Sequence, residues 1–154
     1  MSEKNIDSTL VPYTTTLAVR DRCLCLHAQR AARALSRRFD EAFRHLDLKS
    51  GQFSLLMSLN RPQPPTLGAV AELLAMDRTT LTANLKPLER RGLIRVEKDA
   101  DDRRLRRLSL TSAGKELLAQ ATPIWTRLHA EIEAQLMDPD AETLRTGLNA
   151  LLKS

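Results

Sequence analysis

At 154 residues, with 42% hydrophobic but only 3% aromatic side chains, the chain suits one compact domain with extensions and a Leu/Ala/Val core. The net charge of +5 is uneven: residues 20–45 carry net +4, residues 66–111 net +3 and residues 112–154 net −2, so a polyanionic partner is expected at the middle segment. No apolar run is long enough to span a membrane, no basic-then-apolar leader opens the chain, and two cysteines make no disulfide framework, so a cytoplasmic protein is expected.

Residues 1–16 include Pro12 and lack periodicity, and read as an extended arm. From about Leu17 a long helix is predicted, with Leu24, Ala28, Ala31, Leu35, Phe39, Ala42 and Leu46 forming one apolar stripe. Ser50 is placed to cap a second helix with Phe53, Leu56, Met57 and Leu59 on its apolar side. Arg61-Pro62-Gln63-Pro64-Pro65 ends it. Thr66 then caps a short helix, Ala75-Met76 make a turn, and Asp77 caps a helix that stops at Gly92. This pair reads as a helix-turn-helix. Its second helix buries Leu81, Leu85 and Leu88 and presents Arg78, Thr79, Thr82, Ala83 and Lys86, the small, polar and cationic residues that suit a major groove. Pro87 predicts a bend past the first two turns.

Leu93–Lys98 and Leu105–Leu110 have strand length and flank a charged tip, Asp99-Ala100-Asp101-Asp102-Arg103-Arg104. Arginines on a thin ribbon fit a DNA groove, and neighbouring carboxylates can hold a guanidinium in place. A solvated hairpin tip is the plain alternative. Thr111 caps a long helix carrying Leu117, Ala121, Ile124, Leu128, Ile132 and Leu136 in register, with a kink expected near 120–123 from Pro123. Asp138-Pro139 breaks it, and Asp140 starts a last helix with Leu144, Leu148, Leu151 and Leu152.

The predicted fold class is mainly α with a small two-stranded β wing: a winged helix-turn-helix with N- and C-terminal dimerisation helices. The expected organisation is an arm over 1–16, a helical dimerisation region over 17–46 and 112–154, and a winged DNA-binding domain over 47–111. The terminal stripes exceed what one small domain can bury, so a two-fold dimer is predicted.

The ordered motifs resemble the MarR family of bacterial transcriptional regulators. Leu46-Asp47-Leu48-Lys49-Ser50-Gly51-Gln52-Phe53 is similar to the family's entry to its second helix. Thr79-Thr80-Leu81-Thr82 through Leu88-Glu89-Arg90-Arg91-Gly92-Leu93-Ile94 resembles its recognition helix and exit. Asp99, Asp102 and Arg104 match the D-x-x-D-x-R wing signature, and Leu110-Thr111-Ser112-Ala113-Gly114 matches L-T-x-x-G. The resemblance covers roughly residues 20–137. It implies a homodimer on a pseudo-palindromic operator in double-stranded DNA, with recognition helices in major grooves and wings at flanking minor grooves. Arg104 would enter the minor groove, Asp102 would position it and Asp99 would brace the wing. Arg103, Arg106 and Arg107 would contact phosphates or remain solvated. Arg78, Thr79, Thr80, Thr82 and Lys86 complete the expected DNA-binding set. Family members often carry arginine where this chain has Ala83, so readout would rest on Thr79, Thr82, Lys86 and groove shape.

The resemblance also places Cys25 where the peroxide-sensing branch keeps its reactive cysteine. The positions matching that branch's tyrosines are Gln29 and Phe53, so a small buried hydrophobe is the competing reading for Cys25. Cys23, Cys25 and His27 have no second ligand cluster at metal-site spacing, and neither metal nor cofactor is expected. No nucleophile–base motif, phosphate-binding glycine loop or paired-carboxylate signature supports an enzyme. Family effectors are often amphipathic or phenolic molecules lodged between the dimerisation helices and the winged domain, here implicating Leu17–Ala31, Phe53, Leu56 and Trp125. A regulator whose DNA binding is relieved by a small ligand or an oxidant is the leading reading. A winged-helix protein-interaction module is the alternative.

Overall fold

Short polar side chains start four of the helices. Thr66, Asp77, Thr111 and Asp140 accept the amides of Ala69, Thr80, Gly114 and Thr143 at 3.1, 2.7, 3.1 and 2.7 Å, satisfying donors that have no partner within the first turn. The computed structural model describes residues 10–153, which fall into two compact units, one through Arg38 and one from Phe39.

The first unit holds α1 (Tyr13–Arg22) and most of α2 (Leu24–Ala42). The single helix predicted from Leu17 is thus two helices, and it begins four residues early, inside the expected arm; residues 1–9 lie outside the described residues. The break falls at Cys23, whose backbone is extended (φ −71°, ψ 107°). Its thiol sulfur accepts the Leu26 amide at 3.4 Å and its carbonyl accepts His27 Nδ1 at 2.8 Å, so Cys23 acts as a cap for α2. Leu24 and Leu35 on α2 are exposed.

The second unit contains α3 (Ser50–Ser58), α4 (Leu67–Leu73), α5 (Arg78–Arg90), β1 (Ile94–Lys98), β2 (Arg106–Leu110), α6 (Ser112–Ala134) and α7 (Ala141–Ala150). Ser50 is not the cap of α3 but its first residue. Its amide donates to Asp40 Oδ1 at 2.7 Å, while the Lys49 amide donates to Gln52 Oε1 at 3.0 Å. Ala75 makes the sharp turn between α4 and α5 with φ 50°, and Gly92 ends α5 with φ 69°, a left-handed position that glycine adopts without a steric cost. α5 runs unbroken through Pro87 and α6 through Pro123, so neither proline ends its helix.

The core joins Phe43, Leu56, Val70, Leu81, Leu88 and Leu108, all essentially inaccessible, with Leu118 and Ala121 of α6. Phe43 and the first half of α6 therefore belong to the winged unit, and the boundaries expected at 46/47 and 111/112 do not separate packed layers. Leu118, rather than Leu117, is the buried member of its turn. The two strands are antiparallel, with Ile94 opposite Leu110 and Lys98 opposite Arg106. Thr66 bridges to Arg107, and the Leu108 amide donates to the Pro65 carbonyl at 3.0 Å, so the proline-rich segment lies along the free edge of β2.

Candidate nucleic-acid interface

α5 is anchored by Leu81, Leu85 and Leu88, which leaves its other side outward. There Arg78, Thr79, Thr82, Ala83 and Lys86 together line one shallow exposed depression. Thr80 is different: its hydroxyl donates to Asp77 Oδ2 at 2.8 Å and reinforces the cap instead of standing free at the surface. Arg78 lies against the start of α4, close enough that a Cβ at Gly68 would sit 2.8 Å from its Nη2. The missing side chain at Gly68 gives that guanidinium its room, a pairing across the turn that no local spacing announces.

The wing tip is a chain of held groups. Asp99 Oδ2 accepts the amides of Asp101 and Asp102 at 3.0 and 2.9 Å, folding the tip back on itself. Asp102 grips Arg104 with both oxygens, Nε to Oδ1 and Nη2 to Oδ2, each at 3.1 Å. This fork fixes the guanidinium plane, and Arg104 remains 91% exposed. Arg103 is exposed, and its carbonyl accepts Arg106 Nη1 at 3.3 Å. The Asp99 carboxyl is held below the usual range by the Asp102 amide and then by Arg107. That of Asp102 is lowered by Arg104, first through its side chain and then through its amide, while the Asp102 contact raises Arg104. Asp77 is lowered by the Thr80 amide and then its hydroxyl. These groups therefore keep their charges across the neutral range.

The chain pairs an outward helix face with a braced, arginine-tipped hairpin. The model of the MarR family matches residues 48–105. The transcriptional regulator HosA of Escherichia coli O157:H7 is 31% identical over 96 residues, 62% of this chain and 71% of that protein. The regulator PecS of Dickeya dadantii is 29% identical over 126 residues, 80% of this chain and 74% of that protein. The crystal structure of the M. tuberculosis transcriptional regulator MosR in complex with DNA superposes with a TM-score of 0.78 at 35% identity, covering 86% of this chain and 95% of that one. The chain belongs to the MarR family.

Within this MarR-family fold, Arg107 departs from its expected solvated or phosphate-contacting position. Its Nε donates to Asp99 Oδ1 at 2.7 Å and its Nη1 to the Pro64 carbonyl at 3.1 Å. Cys25 is exposed, not buried, among the described residues, and the Gln29 amide nitrogen donates to its sulfur at 3.3 Å. Gln29 cannot offer a phenol, but it does offer a donor. Of the residues implicated in effector binding, Phe53 and Trp125 line an apolar cavity of about 480 Å3 with Ser54, Met57, Ser58, Leu73, Leu74 and Thr122. Leu56 does not line it; this side chain is wholly within the core. Among the described residues no group of three or more His, Cys, Asp or Glu is placed to hold a metal ion, and no helix is long and apolar enough to cross a membrane.

Proposed function

We propose that the chain is a cytoplasmic, sequence-specific DNA-binding transcriptional regulator, a homodimeric repressor with no catalytic activity of its own. The observation that carries this is Arg104, presented on the wing tip in a carboxylate fork within the same unit as the open face of α5. Thr79, Thr82, Lys86 and Arg78 read or approach the major groove, Arg103 meets phosphate, and Arg104 enters the flanking minor groove. Thr80 acts through the Asp77 cap. The names of HosA and PecS and the DNA in the MosR crystal support this reading over a protein-interaction module.

The apolar sides of the terminal helices support the dimer. Leu24 and Leu35 on α2, and Leu144, Leu148, Leu151 and Leu152 at the C-terminus, are exposed in the single chain, and a second copy would cover such surface. A dimer seated on an operator represses by occupying it, with no further surface required. Release follows either of two signals. A small apolar ligand in the cavity would press on Leu73 and Leu74, directly ahead of the Ala75 turn that aims α5. Oxidation of exposed Cys25 is the other signal.

Selection from random duplexes tests the reading. An inverted repeat with half-sites about one helical turn apart is expected, and its affinity should fall steeply with salt through counterion release. Recovery of unrelated sequences with no repeat would contradict it. On the selected duplex, peroxide should release the wild type but not Cys25→Ser; equal responses would remove the oxidant route.

A further inference from the structure

We propose that Arg107 is the positioning residue of the wing: it ties the hairpin to the segment ahead of α4 and so sets where Arg104 meets DNA, without contacting DNA itself. The inference rests on the DNA-binding reading above and adds a residue to it.

The Arg107 side chain is 40% exposed where that of Arg104 is 91% exposed, and its partner Asp99 is only 14% exposed. Nε and Nη1 are committed to Asp99 and to the Pro64 carbonyl. Its backbone pairs with Thr66, the residue that caps α4. One continuous path thus runs from the start of the helix-turn-helix through Arg107 to Asp99, through the Asp102 amide to the Asp102 carboxylate, and out to Arg104. Every link between residues is a hydrogen bond, and two involve a charged pair. Severing it at Arg107 removes the guanidinium that fixes the Asp99 carboxylate, so its hold on the tip amides loosens while the hairpin stays attached through its backbone contacts at Pro65 and Thr66. The tip loosens, and Arg104 loses its placement.

A phosphate ligand and a brace respond differently to lysine. Lysine keeps the charge that a phosphate contact needs, but a single ammonium cannot reproduce a planar fork bridging a carboxylate and a carbonyl. The experiment titrates wild type, Arg107→Lys and Arg107→Ala against two duplexes that share the selected core, one flanked by A·T pairs and one by G·C pairs, over a range of salt. Wild type should favour the A·T flanks. Both variants should lose that preference, with affinity for the A·T-flanked duplex down roughly fivefold or more and an unchanged salt slope. A slope reduced by about 0.9 per lost contact in Arg107→Ala but kept in Arg107→Lys would make Arg107 a phosphate ligand and overturn the proposal. Unchanged flank preference in both variants would overturn it too. Hydrogen exchange in the free protein needs no DNA, and separates this proposal from failure of the DNA reading. The amides of Asp101 and Asp102 should exchange faster in Arg107→Lys than in wild type, and equal exchange would show that no brace exists.

Discussion

Arg104→Ala should weaken binding to the selected operator by roughly 5- to 150-fold for each subunit, the range for loss of a groove-reading arginine. Both subunits carry the change, and their effects multiply if the half-sites act independently. Among the described residues Arg104 donates only to Asp102, which points its fork outward, so little rotamer freedom is lost on binding. Global stability should hardly move, because the side chain is almost wholly exposed. Arg104→Lys should recover only part of the affinity, since a lysine keeps the charge but not the planar fork. Anisotropy titrations with matched unfolding curves separate the two effects. Undiminished affinity in Arg104→Ala would remove the wing from the interface.

Gly114→Ala should destabilise the fold by about 3 kcal/mol, even though alanine is the better helix former. A Cβ at this position falls inside the van der Waals surface of the Leu93 carbonyl oxygen, 3.2 Å from the carbonyl carbon and 3.3 Å from Leu110 Cδ2. The obstacle is backbone and cannot rotate away. The same carbonyl accepts the Thr111 amide at 3.0 Å, so moving it breaks the junction between β1 and α6. Helix propensity favours alanine by roughly 1 kcal/mol, too little to offset that clash. Gly147 provides the opposite sign. It lies within α7, and a methyl group added there would meet nothing within 4 Å, so Gly147→Ala should stabilise by up to about 1 kcal/mol. Urea unfolding of both variants checks the pair. A stabilising Gly114→Ala would contradict the close approach of α6 to Leu93.

These junctions also explain which features were legible in the chain. Thr66, Asp77, Thr111 and Asp140 bond three residues onward, so their caps follow from local order alone. The wing strands and the Asp102–Arg104 fork are equally local, the fork spanning two positions. Where partners are distant, spacing was silent. Ser50 is held by Asp40, ten residues back, so it need not cap. Arg107 finds its carbonyl 43 residues away at Pro64, and from its neighbours alone it looks like another solvated cation. Arg78 and Gly68 meet only after the turn at Ala75 brings α4 and α5 together. Cys23 hid a helix break because the apolar stripe starts only at Leu24 and does not report on the residues before it, while its sulfur and carbonyl take up the first contacts of α2. The share of α6 in the core was hidden for a related reason: Leu118 and Ala121 repeat with the rest of α6, and periodicity does not say which part of a helix enters which core.

The central claim is that the α5 face and the wing read DNA sequence. Its most direct test is the ratio of affinities for the selected operator and a scrambled duplex of equal length and composition, measured at one physiological salt concentration. A ratio of about 1,000 or more is expected for a specific regulator, with two chains bound per operator. Equal affinity for both duplexes would leave only the general attraction of a basic surface for DNA, and would contradict the account.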